Sequence, residues 1–112
     1  MKPLAQPSQE LRAWLTREVD FKDRLMAAEL HQRAGIATVE VYSLDELFAL
    51  LDSPHPMIDM DEMAGWCSTV LHDDELAGRI SAAAARDTNQ HNRIMHARDL
   101  VGQRLLQCRR AA

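Results

Sequence analysis

Long stretches without proline constrain this chain more than any other feature of its sequence. Proline is absent from Ser8 to Ser53 and again from Met57 to the end, and the 112 residues include only four glycines. Because these two residue types interrupt regular structure most strongly, such stretches favour helices. A chain of this length has room for one domain and one core. The sequence therefore predicts a single helical domain over 8–112, preceded by a flexible lead-in at 1–7.

The apolar residues between positions 8 and 34 recur at helical spacing, and Gly35 stands where a glycine often ends a helix. This pattern predicts a helix over 8–34. On one continuous helix, however, Glu18, Lys22 and Glu29 would fall inside the apolar arc. Either these charges pair inside the protein, or the helix breaks near Asp20.

Segment 36–42 is the only stretch in which β-branched residues alternate with others. A lone strand leaves its backbone groups unpaired. The segment is therefore predicted to be an extended connector, with pairing to a second subunit as the alternative.

Helix start signals follow this segment. Ser43 and Glu46 form a capping box, and Asp59 repeats its logic three residues before Glu62. The last apolar stripe begins after His72 and runs to Cys108, either as one long helix or as two joined near residues 87–89. The sequence thus predicts an all-α fold, a four- or five-helix antiparallel bundle with a long C-terminal helix.

Charge is distributed unevenly along the chain. Between Arg33 and Arg79 there are ten acidic residues and no lysine or arginine, whereas seven arginines and two aspartates lie from position 79 onward. Opposite fields on one small body direct docking within the chain, between subunits or onto a partner. The formal net charge of -4 argues against general binding of nucleic acid, which requires a net basic face.

Two groups of residues are candidate binding surfaces. On one continuous last helix, four arginines align, and we call them the arginine stripe: Arg79, Arg86, Arg93 and Arg104. Flexible methionines beside an aromatic residue make an adaptable patch, here Met60, Met63 and Trp66, although ordinary core filling explains the same spacing.

A third group suggests a pocket. On the same continuous helix, Asp87, His91 and Arg98 project from the apolar face, where a charge needs a partner. Glu18 and Glu29 are the candidate partners. This polar row predicts either a ligand or metal site, or a polar layer that fixes helix register or a dimer seam. Neither the Glu-x-x-His pairs of a di-iron bundle nor zinc-ligand spacings are present in the sequence.

Cys67 and Cys108 show neither metal-ligand spacing nor a disulfide framework. The N-terminus lacks the apolar core of a secretory signal, and no apolar run approaches the roughly 20 residues of a membrane span. These features predict a cytoplasmic protein that does not bind a membrane.

The leading hypothesis is a homodimeric protein-interaction module, such as an adaptor, inhibitor or accessory factor, with no cofactor. It would bind a protein partner or its own second copy through the acidic segment 40–75 and the arginine stripe. The alternative is a ligand- or metal-binding bundle that uses Asp87, His91 and Arg98. A small RNA binder that uses the arginine stripe is a third possibility. No motif predicts an enzyme.

Overall fold

The computed structural model describes residues 3–109 of the protein, which form five α-helices and a three-stranded antiparallel sheet. The helices are α1 (Gln9–Leu15), α2 (Leu44–Leu51), α3 (Met60–Thr69), α4 (Asp74–Arg86) and α5 (Gln90–Arg109). The strands are β1 (Leu25–His31), β2 (Gly35–Val41) and β3 (Pro56–Met57), in the order β2-β1-β3 across the sheet. The fold is mixed, and the prediction of an all-α bundle is wrong.

The error begins in the segment predicted as a helix over 8–34. Helix α1 occupies only its first part, a short 3₁₀ turn follows at Phe21–Asp23, and the second half is strand β1. Ala27, Ala28 and Glu29 are good helix formers, so local preference favours a helix there. Pairing with strands on both sides overrides that preference.

Segment 36–42 was predicted to be a connector, which is also wrong. It forms most of β2, which pairs with β1 of the same chain from Leu25 opposite Val41 to His31 opposite Gly35. Gly35 does not end a helix. It begins β2 after a tight three-residue turn, with a φ of 79° that residues with a β-carbon rarely adopt.

The predicted helix starts after the hairpin are confirmed. The side chain of Ser43 accepts the N–H of Glu46 at the start of α2, and Asp59 accepts that of Glu62 at the start of α3. Asp73 caps α4 in the same way, by accepting the N–H of Leu76. Each oxygen satisfies a backbone N–H that has no partner within its helix.

The last helical stretch consists of two helices, since α4 ends at Arg86 and α5 begins at Gln90. α5 packs against both α2 and α4. Gly102 permits a close approach there, because a β-carbon at this position would lie 2.9 Å from the ring of Phe48.

Aliphatic side chains from all five helices and from the base of the hairpin form one core. Leu25 and Val41 are buried there, whereas Leu30 and Ile36 near the tip of the hairpin are exposed. The hairpin therefore contacts the helices mainly at its base. Within residues 3–109, we find no helix with both the length and the apolar character needed to cross a bilayer.

Candidate interaction surfaces

Arg104, the last member of the predicted arginine stripe, is buried and only 1% exposed. Its Nε donates to Asp73 Oδ2 at 2.8 Å and its Nη2 to Asp73 Oδ1 at 3.2 Å. The remaining N–H groups donate to Ala5 O, to Gln107 Oε1 and to Glu75 Oε1. All five donors of the guanidinium are thus used within the chain. Arg104 joins α5 to the start of α4 and is not available to a partner.

The same cluster holds Leu4 and Ala5 of the predicted lead-in 1–7, of which residues 1 and 2 lie outside the described part of the chain. The N–H of Leu4 donates to Gln103 Oε1, and its carbonyl accepts from Gln107 Nε2 at 2.6 Å. The N–H of Ala5 donates to Glu75. Leu4 is itself buried in the core. Backbone groups of Leu4 thus attach this segment to α5, and the N–H of Ala5 attaches it to the first turn of α4.

The other arginines of the stripe do not align with Arg104, because the alignment requires one continuous helix and the chain has two, α4 and α5. Arg79 and Arg86 lie on α4 and line a groove between α4 and α5. Arg93 lies on α5, where its Nε donates to the carbonyl of Asp87. The helix break thus separates the stripe into a pair on α4, one residue near the break and one buried residue.

Part of the charge asymmetry is neutralised inside the chain. Three arginines of α5 form ion pairs with residues of the acidic segment 40–75: Arg98 with Asp52, Arg104 with Asp73 and Glu75, and Arg109 with Asp45. The basic last helix therefore docks on the acidic middle of its own chain.

Met60, Met63 and Trp66 are buried on the inner side of α3, each less than 8% exposed. The indole N–H of Trp66 donates to the carbonyl of Asp23 at 2.7 Å and fastens the 3₁₀ turn to α3. These side chains fill the core, so they do not form a surface patch.

The predicted polar row is not brought together. Asp87 lies in the break between α4 and α5, and His91 is exposed at the start of α5. Arg98 pairs with Asp52 and Asp99 on the surface.

The two candidate partners of the row lie elsewhere. Glu18 is exposed, and Glu29 lies on β1 beside His31. Within residues 3–109 there is no group of three or more His, Cys, Asp or Glu residues arranged to hold a metal.

Asp87 instead organises the turn between α4 and α5. Its carboxylate accepts the N–H of Asn89 at 2.9 Å. This bond, together with Asn92 and the nearby positive charges of His96 and Arg93, lowers the pKa of Asp87 despite the opposing effect of burial.

Sequence reasoning missed the face of the sheet that points away from the core, which we call the outer face. Paired residues on antiparallel strands share a face, and Leu25 and Val41 point to the core, so the alternate residues form the outer face. It consists of Met26, Ala28 and Leu30 on β1, Ile36, Thr38 and Glu40 on β2, and Met57 on β3. Four of these seven are large apolar side chains that are 41–65% exposed: Met26, Leu30, Ile36 and Met57.

The hydrophobic pattern is inverted near the tip of the hairpin. Glu29 and His31 lie on the side of the sheet that faces the core, whereas Leu30 and Ile36 point outward. A sheet with one solvated face normally shows the opposite alternation. The signal was present in the sequence but became visible only once β1 was known to be a strand.

The outer edge of β2 carries unpaired backbone groups. Leu30 directs its N–H toward β3, where it donates to the carbonyl of His55. Bonding direction alternates along an antiparallel strand. Ile36, the partner of Leu30 on β2, therefore points its N–H and C=O away from β1, as do Thr38 and Glu40. We call these three residues the free edge, since no described residue pairs with their backbone groups.

Tyr42 follows Ile36, Thr38 and Glu40 in the same alternation, and its hydrogen bonds confirm that these backbone groups point away from β1. Its N–H donates to Glu46 Oε1 at 3.4 Å, and its carbonyl accepts the N–H of Val19 at 2.7 Å. Both partners lie outside the sheet. They close the edge at the base of the hairpin and leave it open from Ile36 to Glu40.

Neither cysteine has the character of a nucleophile. Burial, with a smaller contribution from Asp73, raises the pKa of Cys67 to about 12. Burial also raises the pKa of Cys108. A thiol that stays protonated at neutral pH reacts slowly.

Comparison with known proteins gives no relative to reason from: no protein-family model, curated protein or solved structure matches the chain.

Proposed function

We propose that this protein is a protein-interaction module, an accessory factor that binds a protein partner through the outer face of its sheet. The observation that carries the proposal is the exposure of four large apolar side chains on that one face. Of the six large apolar side chains that are exposed in residues 3–109, only Phe21 and Leu106 lie elsewhere. Contiguous exposed apolar surface is typical of binding sites.

The outer face also has the composition of an interface centre. Glu40 is its one charged residue, and Arg24 neutralises it at 3.0 Å. Arg24 stacks on the ring of Phe21, so this ion pair and Phe21 form a rim at the base of the hairpin. Depletion of charge at the centre, with polar groups at the rim, is the usual anatomy of a protein interface. The partner is therefore expected to present an apolar surface.

The acidic segment and the arginine stripe support docking less well than the outer face does. Arg104 of the stripe is buried in its pairs with Asp73 and Glu75. Two further residues of the acidic segment, Asp52 and Asp45, are paired with other arginines of α5, Arg98 and Arg109. The two exposed pairs, Arg98 with Asp52 and Arg109 with Asp45, are of the solvent-exposed kind that contributes little energy. A cytoplasmic location accompanies the proposal, because both cysteines are free thiols.

The test compares protein capture by three forms of the full chain. The outer-face variant carries Leu30→Lys and Ile36→Lys. The control carries Ala85→Lys and Leu106→Lys, which place the same charge on exposed positions of α4 and α5. Each form is immobilised, incubated with lysate of the source cells, and its bound proteins are quantified by mass spectrometry.

Partners held by the outer face should remain with the wild type and the control, and fall at least about tenfold with the outer-face variant, since a charge in a desolvated interface centre is costly. Equal retention by all three forms would contradict the proposal. Circular dichroism of each form checks that the fold is retained.

A further inference from the structure

We infer that β2 pairs with β2 of a second copy of this chain along the free edge, antiparallel and about a two-fold axis at Thr38. The two sheets would then form one continuous sheet of six strands. The inference rests on the proposed function in one respect, because the joined sheet presents both outer faces to a partner as one surface. The pairing itself depends on backbone groups of the free edge, whereas the proposed docking surface consists of side chains of the outer face.

The free edge fixes the register of this pairing. Its three open positions are Ile36, Thr38 and Glu40, and Thr38 is their centre. An antiparallel two-fold arrangement uses all three positions only when Thr38 lies opposite Thr38 of the partner subunit. Each hydrogen-bonded pair contributes two bonds, so about six N–H···O bonds would join the copies. Val19 and Glu46, which cover Tyr42, stop the strand from sliding further along the edge.

Charge along the hairpin favours a second copy in this orientation. At the tip, Arg33 is the cationic residue, and Glu29 lies 3.4 Å from His31. At the base, Arg24 is paired with Glu40, whereas Glu46 lies at the edge itself and Glu18 beside Val19. Antiparallel pairing brings each tip to the other base, so that Arg33 in the turn approaches the acidic Glu46 of the partner subunit. A parallel arrangement would place tip beside tip. The edge is thus complementary to itself only in the antiparallel sense.

Side chains across the joint are compatible. Thr38 would meet Thr38 of the partner subunit, a favourable cross-strand pair. Ile36 would lie opposite Glu40 of the partner subunit, so no like charges face each other. Neither proline nor lysine blunts the edge between positions 35 and 41, although natural sheets often use both to prevent such pairing.

The test is a cysteine scan of the free edge in the full chain. The background carries Cys108→Ser, which leaves Cys67 buried in the core. Thr38→Cys, Ile36→Cys and Glu40→Cys are introduced one at a time and exposed to a mild oxidant, and the covalent dimer is measured on a non-reducing gel. In the predicted register, the two α-carbons at position 38 lie about 5.5 Å apart, within disulfide range. Two copies of residue 36 lie about 14 Å apart, beyond that range.

Thr38→Cys should therefore form covalent dimer at least about tenfold faster than Ile36→Cys or Glu40→Cys alone. A mixture of Ile36→Cys and Glu40→Cys should form the mixed dimer, because these positions face each other. Sedimentation equilibrium of the wild type should show a dimer. Equal rates at the three positions, or a monomer up to about 100 μM, a concentration at which even weak specific dimers form, would overturn the inference.

The two proposals can fail separately. A failed cysteine scan with selective loss of capture by the outer-face variant would mean that the outer face binds another protein without self-pairing. Selective cross-linking at position 38 with unchanged capture would support the edge dimer and reject the outer face as a docking site.

Discussion

Helix α5 and the β1–β2 hairpin differ in whether their polar groups have partners within the chain. α5 carries four arginines, more than any other described helix or strand, and three of them form ion pairs within the chain. The hairpin carries little charge, yet it exposes both an apolar face and a row of backbone groups. A high density of charge in a sequence therefore does not identify a docking surface. What identifies one is surface that the fold leaves without a partner.

The largest expected effect is a loss of stability when the buried Arg104 of α5 is replaced. In Arg104→Met the methionine fills part of the space, but Asp73, only 1% exposed, loses its ion partner. Leaving one charge of a buried pair unpaired costs about 3–5 kcal/mol. We expect the free energy of unfolding, measured by urea denaturation, to fall by about that amount.

Arg86→Met is the matched control, since it removes an exposed arginine from α4 and should change stability by less than about 0.5 kcal/mol. Adding Asp73→Asn to Arg104→Met should restore part of the loss, because the asparagine keeps the cap of α4 without the charge. A loss equal to that of Arg86→Met would mean that the cluster does not hold the fold together.

The second effect is a dependence of stability on acid. Burial alone would raise the pKa of Glu75, but hydrogen bonds from Ala5 and Arg104 and the charge of Arg104 and Arg79 lower it overall. A lowered pKa in the folded state means that the unfolded chain binds protons first as pH falls. The contribution of Glu75 is therefore complete above the ordinary glutamate pKa of about 4.3. It is lost as pH falls from there through the lower folded value.

Glu75→Gln should remove this part of the acid sensitivity, so that its stability falls less steeply below about pH 4.3, the ordinary glutamate pKa, than that of the wild type. Thermal denaturation at a series of pH values measures the difference. Glu62→Gln is the control, because Glu62 is exposed and forms no ion pair with any described residue. Parallel curves for all three proteins would show that Glu75 adds nothing to the cluster.

Several local features could be predicted from the sequence because they depend on neighbouring residues alone. The caps at Ser43 and Asp59 are of this kind, since the N-cap oxygen and the backbone N–H that donates to it lie three residues apart. Strand β1 could not, because it is specified by β2 and β3 and its own residues favour a helix. The charges of Glu18, Lys22 and Glu29, misplaced on the predicted helix, were the available signal that the helix was wrong.

The candidate surfaces also could not be predicted from local sequence alone. The arginine stripe and the polar row both depended on one helical phase carried through residues 87–89. The chain breaks there, so α4 and α5 have independent phases, and Arg104 turns into the interior while His91 turns outward. The free edge and the outer face depend on how the strands pair, and the local sequence of β1 does not indicate that pairing.

The smallest expected effect on stability comes from substitutions on the exposed outer face of the sheet. Leu30 and Ile36 are 47% and 65% exposed, so replacing both with lysine removes little buried apolar area from the folded monomer. Each exposed substitution should change the free energy of unfolding by less than about 0.5 kcal/mol. We expect this variant to unfold in urea close to the wild type when both are monomeric, while it loses capture of a partner. A loss comparable to that of Arg104→Met would mean that the outer face belongs to the core of the fold, and the contrast between α5 and the hairpin would no longer hold.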